Sequence, residues 1–411
     1  MRSRRWWSTA VVVAVGAGVL TAQGVTGRPA GFARDDGGAD PVTTHSRTLA
    51  LTTAADGSSA VLGSRDTASF SVLGVTWAQP SARVAGAVEV RARSVADRTW
   101  SPWHTLDGDS GPGEEGAARG GTDPLWVGPS DGVEVRVDGE GTAPLPAGLR
   151  LVMIDPGGTV PGAPAASVPA AAPDPPPAVP PVPRPAAGPT ASAFPPGGPA
   201  AEPPPITPRA GWGADESISP EDPAYLPGGK VEAAVVHHTV DSNDYTCAEA
   251  PAVIRGVYAY HVQQLGWKDI GYNFLVDKCG TLYEGRKGGV DRPVLGAHAY
   301  GFNSETTGIA VLGTHTETAP PQEASAALAR LAGWKLGLGG VDPAGTATLT
   351  AGADGKNYAG KSWAKGDELS FPVIHGHRDG YNTQCPGDAL YAQLPTIRSW
   401  AAGKAADVVL P

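Results

Sequence analysis

Gly376-His377-Arg378-Asp379-Gly380-Tyr381-Asn382-Thr383-Gln384-Cys385-Pro386-Gly387 decides how the rest of the chain is read. It sets an imidazole (377) and a thiol (385) a short loop apart, with the thiol entering a Pro-Gly turn. Far upstream, the apolar run Ala234-Val235-Val236 ends in His237-His238-Thr239. Two histidines and one cysteine drawn from distant segments suit Zn²⁺, which takes nitrogen and sulfur ligands. Three protein ligands leave the fourth tetrahedral position open, the catalytic rather than the structural arrangement. The pattern predicts a zinc hydrolase.

Outward from this stretch, residues 206–403 alternate strands with helices. Residues 231–237 read as a buried strand, and 252–265 as an amphipathic helix with the stripe Val253, Ile254, Val257 and Tyr258. Residues 272–276 and 280–283 form a strand–turn–strand through Lys278-Cys279-Gly280. Further strands are expected at 308–312 and 371–375, and helices at 322–336 and 388–400. The class is α/β, a mixed sheet flanked by helices. The polar, Gly-rich segment 342–368 reads as a surface insertion.

Residues 48–155 change to period two. Val88, Val90 and Ala92 alternate with Glu89, Arg91 and Arg93, and Val133, Val135 and Val137 with Glu134 and Arg136. This predicts a small all-β, sandwich-like accessory domain in which each sheet buries one face. Trp77, Trp100, Trp103 and Trp126 are spread through it and read as core or rim before they read as a sugar platform. Residues 156–205 hold 19 of the chain's 41 prolines. They cannot build a ladder or a packed helix, so they form an extended Pro/Ala-rich spacer and a clean domain boundary.

The chain has 411 residues and a net charge of −10 with no long basic block, which argues against nucleic acid as a partner. Arg2-Ser3-Arg4-Arg5 followed by an apolar run to Gly24 reads as a secretory signal peptide over 1–27, and Arg4-Arg5 leaves twin-arginine export open. Residues 28–47 are polar and expected to be disordered, and 404–411 form a tail. No second membrane span follows the signal, so a secreted monomer is expected. Three cysteines are an odd number for an exported chain. The economical assignment is one disulfide, Cys247–Cys279, and one thiolate on the metal. Two unpaired buried thiols would fit an oxidising compartment poorly.

Seven segments then occur in order: Arg209-Ala210-Gly211-Trp212-Gly213, Val236-His237-His238-Thr239, Asp269-Ile270-Gly271-Tyr272-Asn273-Phe274, Tyr283-Glu284-Gly285-Arg286, Gly296-Ala297-His298, Gly308-Ile309-Ala310-Val311 and the opening stretch. The series resembles the peptidoglycan recognition protein and type-2 N-acetylmuramoyl-L-alanine amidase family, in its secreted actinomycete form. The resemblance implies that His237, His377 and Cys385 hold one Zn²⁺, and that the chain is cell-wall associated. It implies that Tyr272 and Thr383 assist hydrolysis of the amide between N-acetylmuramic acid and L-alanine in peptidoglycan, and that His298 and Asn303 line the substrate groove. The family commonly continues past the Glu-Gly-Arg motif with Gly-Trp, whereas this chain has Lys287-Gly288-Gly289-Val290-Asp291 after Arg286.

The other singled-out residues carry blander readings. His238 follows a ligand on a strand, so its side chain points to the other face and serves the groove or supports the ligands. His375 sits off the motif spacing, and His261 and His315 read as surface or packing residues. Glu284 reads as a carboxylate paired with Arg286. The competing function is a non-catalytic peptidoglycan-binding receptor, against which the retained Cys385 argues.

Overall fold

The computed structural model describes residues 41–108, 111, 113–141, 144–158 and 202–403. The expected signal peptide, tail and most of the proline-rich spacer lie outside them.

The period-two region is one antiparallel sheet of six strands in the order His45–Ala50, Arg150–Asp155, Ser59–Trp77, Leu125–Gly139, Gly86–Ser94 and His104–Leu106, with Thr52–Thr53 and Gly120–Gly121 pairing alongside Ser59–Trp77. The pairing of Ser59–Trp77 with Leu125–Gly139 shifts register at three places, which bends both strands. Leu73, Val75, Trp77, Val88, Val90, Val133, Leu151 and Met153 fill the domain's own core. Two expectations fail here. His45–Ala50 pairs along Arg150–Asp155, so order begins inside the stretch expected to be disordered. Only one buried face was expected, yet Val72, Val152 and Ile154 alternate to the outer face and are fully buried there too, against the second domain. Trp77 and Trp126 are buried, while Arg91 and Arg136 stack on Trp103 at 4.8 and 4.2 Å from its ring centre.

The second sheet is mixed, in the order Ile374–Gly376, Ala233–His238, Thr306–Val311, Phe274–Val276, Leu282–Glu284 and Ile206–Thr207. Its centre is parallel, with Ala233–His238 between Thr306–Val311 and Ile374–Gly376. All six residues of Ala233–His238 are buried, the signature of a strand covered on both sides. Ala234, Val236, Ile309 and Val311 pack under helices Gln322–Gly337 and Asp388–Ala401. The opposite face, with Leu275 and Ala310, packs toward helix Ala250–Ala259, which continues as a π-turn over Tyr260–Gln264. A disulfide joins Cys247 to Cys279. The 342–368 insertion is more than surface: Leu349 and Trp363 from it form a small core with Phe302, Leu369 and Phe371. Among the described residues no helix is long and apolar enough to cross a membrane.

Candidate metal centre

Side chains alternate along a strand, so His237 shares the face of Ala233 and Val235, away from the two covering helices. Ile374–Gly376 runs parallel to it and delivers His377 one residue past its end. The loop beyond returns Cys385 to the same spot. That loop is stiff: Arg378 N–H donates to the Cys385 carbonyl at 2.8 Å, its guanidinium donates to the Gln384 carbonyl at 2.8 Å, and it pairs with Asp388 at 2.6 Å. Tyr391 Oη donates to Asp379 at 2.7 Å, and Asp379 in turn accepts the Gly376 N–H at 3.0 Å.

One ligand atom each from His237, His377 and Cys385 lies within 4.8 Å of the others. Cys385 Sγ is 3.7 Å from His237 Nδ1, and the His237 and His377 ring centres are 4.5 Å apart. Burial, then the neighbouring His377 and His298, drive the His237 pKa well down, and burial with His375 lowers His377 to about 3. Both imidazoles are therefore neutral, the form that ligates. Burial pushes the Cys385 thiol up, opposed by the His238 N–H that points at Sγ at 3.4 Å. Two neutral nitrogens and a buried sulfur match a divalent ion that would draw off the thiol proton. The donor set fits zinc.

His298 lies over the sheet because Gly308 leaves room: a methyl there would fall 2.4 Å from the imidazole. Its Nδ1 is 3.1 Å from His237 Nε2, while its Nε2 is buried with no hydrogen-bond partner among the described residues. Asn303 Oδ1 accepts the His298 and Ala299 N–H groups, both at 2.8 Å, fixing that loop. Tyr272 is 9% exposed with its ring 5.3 Å from that of His237. Burial, then Asp123, raise its pKa well above the usual phenol range, so it stays a proton donor. Thr383 Oγ1 accepts the Cys385 N–H at 3.1 Å, which leaves the hydroxyl proton free to be given elsewhere. His238 turns to the other face, where its Nδ1 accepts the His315 N–H at 3.2 Å.

The blander expectations for Glu284 and His261 are revised, while those for His315 and His375 stand. Arg286 does not pair with Glu284. Its partner is Glu114, at 2.7 Å, from the N-terminal domain. His261 is buried, stacks on Trp267 at 4.2 Å and lines the same cavity as the ligands. His315 is buried as well, its ring nitrogens 3.2 Å from the Thr318 and Leu312 carbonyls. His375 is tied to the Pro372 carbonyl at 3.0 Å and stacked on Phe371, so it is no part of the triad. Sequence reasoning missed Asp123, Trp267, Tyr300 and Tyr381, which wall the cavity from four different loops. None belongs to a local pattern that marks it.

The geometry agrees with the comparisons. Residues 227–388 match the N-acetylmuramoyl-L-alanine amidase family model, and 33–176 match the family described as Rv3811 N-terminal galactose-binding domain-like. Peptidoglycan-recognition protein SC2 of Drosophila simulans is 30% identical over 198 residues, 48% of this chain and 88% of that protein. The N-acetylmuramoyl-L-alanine amidase of Homo sapiens is 34% identical over 198 residues, 47% of this chain and 28% of that protein. Among solved structures, Drosophila peptidoglycan recognition protein SD is 25% identical with a TM-score of 0.36, covering 46% of this chain and 92% of that one. The chain thus joins a galactose-binding-like N-terminal domain to an amidase fold and belongs to the peptidoglycan recognition protein and N-acetylmuramoyl-L-alanine amidase family.

Proposed function

We propose that the chain is a secreted, zinc-dependent N-acetylmuramoyl-L-alanine amidase that hydrolyses the amide joining the lactyl group of N-acetylmuramic acid to L-alanine in peptidoglycan. In this reading residues 1–27 are a signal removed on export, the β domain is an accessory, and 206–403 form the hydrolase. The observation that carries it is the third donor: Cys385 sulfur beside His237, with a backbone N–H aimed at it. A protein that only binds wall fragments has no need of that sulfur.

His237, His377 and Cys385 would hold the zinc, which supplies a water of lowered pKa and polarisation of the carbonyl. The rest falls to the chain. An amide is a poor electrophile, so its oxygen must meet donors as negative charge develops on it. Tyr272 is held protonated by burial and offers its O–H. Thr383, anchored through its acceptor side, offers a second. His298 Nε2, buried and unpartnered, is available to a polar group of the substrate. Asn303 holds that loop in place.

Purified cell wall and a soluble disaccharide tetrapeptide, each incubated with the protein, should release stem peptides with a free L-alanine amino terminus, detected by mass spectrometry. Wall that sediments with the protein while no such peptide appears would leave a receptor instead.

A further inference from the structure

We infer that the N-terminal β domain is a fixed wall of the substrate cleft, restricting the enzyme to short soluble glycopeptides over the interior of a glycan polymer. The inference rests on the amidase reading above.

The docking is close and apolar. Val72, Trp126, Val152 and Ile154 share one buried cluster with Tyr258, Tyr260, Ile270 and Tyr272. Gly74 of the long strand lies flat on the Tyr260 ring, where a Cβ would fall 2.7 Å from it. Trp126 N–H donates to Asp241 at 2.6 Å, and Ala118 N–H to the Leu265 carbonyl at 2.8 Å. Buried Arg255 donates to the Pro156 and Gly158 carbonyls at 2.8 and 2.6 Å, clamping the chain as it leaves the β domain. An interface this apolar does not hinge freely.

At the cleft the same domain touches both sides. On one, Glu114 pairs with Arg286 at 2.7 Å, with 14% and 8% of the side chains exposed, and accepts the Lys268 N–H at 2.8 Å. On the other, Arg83 stands over the Tyr381 ring at 5.8 Å. Asp123 lines the cavity between them, in the short link between Gly120–Gly121 and Leu125–Gly139. A polymer bound in its middle needs a groove open at both ends. A cleft spanned from side to side admits a terminus or a small fragment.

The test compares kcat/KM per cleavable bond on a soluble disaccharide tetrapeptide and on insoluble sacculi, for the full chain and for Gly74→Val, a wedge against Tyr260 at the domain interface. Glu114→Ala, which removes the tie to Arg286, serves as a second variant should the wedge fail to fold. The parent should prefer the fragment by about tenfold or more, and that ratio should fall severalfold in a variant. A parent ratio near one, or a preference that no folded variant changes, overturns the inference. If neither substrate is cleaved, the amidase reading has failed on its own. The ratio of fragment binding to sacculus binding, parent against variant, then decides the wall by the same criteria.

Discussion

Tyr272 and Thr383 bear on the reaction in different ways, and substitution separates them. Tyr272→Phe keeps the buried ring beside His237 and removes only the hydroxyl, so zinc content should be unchanged while kcat falls by about 10²-fold, the usual loss of one oxyanion donor. Equal turnover would remove Tyr272 from the mechanism. Thr383→Val removes the acceptor of the Cys385 N–H as well, and should weaken both turnover and metal retention. Asp241 offers a pH prediction. Burial raises its pKa from 3.8 to about 7, and its Oδ2 has no partner. Protons are then bound more tightly folded than unfolded, so its contribution is full below about pH 4 and is lost as pH rises through 7. Asp241→Asn keeps an acceptor for the Trp126 N–H and should flatten the decline in Tm between about pH 4 and 7; an unchanged slope would contradict this. The three candidate donors were legible because His377 and Cys385 share one short loop and His237 closes an apolar strand run. Asp123, His261 and Trp267 were not, since a cavity wall is assembled by tertiary packing and leaves no spacing in the chain.

The central strands were legible from continuous apolar runs, and the candidate donors His237 and His377 sit at or just past their ends. What escaped was the way elements interrupt themselves. The expected strand at 371–375 breaks at Val373, so that Glu368–Pro372 pairs with Thr346–Thr350 in a separate sheet while Ile374–Gly376 joins the main one. The helix expected over 252–265 changes to a π-turn at Tyr260, which lays that ring on the β domain. Both deviations answer to partners distant in sequence. Strand Thr306–Val311 carries the test at this scale. Gly308→Ala should displace His298 through overpacking, costing about 1–3 kcal/mol of stability. Loss of its support for His237 should weaken zinc affinity by about 10-fold or more. A variant with parental Tm and affinity would show that the loop yields without consequence.

Across the whole molecule, composition marked two domains but not their union. The proline-rich stretch reads as a spacer, and spacers suggest independence. Yet part of the outer face of the β sheet is apolar too, with Val152 and Ile154 alternating against Leu151 and Met153. That double burial was written in the sequence as the run Leu151-Val152-Met153-Ile154 without polar interruption, and it points to a partner surface rather than water. The disulfide ties the start of helix Ala250–Ala259 to the turn after Phe274–Val276 and leaves Cys385 free. That leaves its sulfur available to the proposed zinc. The most direct test is the zinc content of the purified full chain beside that of Cys385→Ser. The account predicts one zinc per parent chain and a near-complete loss in the folded variant. A parent without stoichiometric zinc, or a variant that retains it, would contradict it.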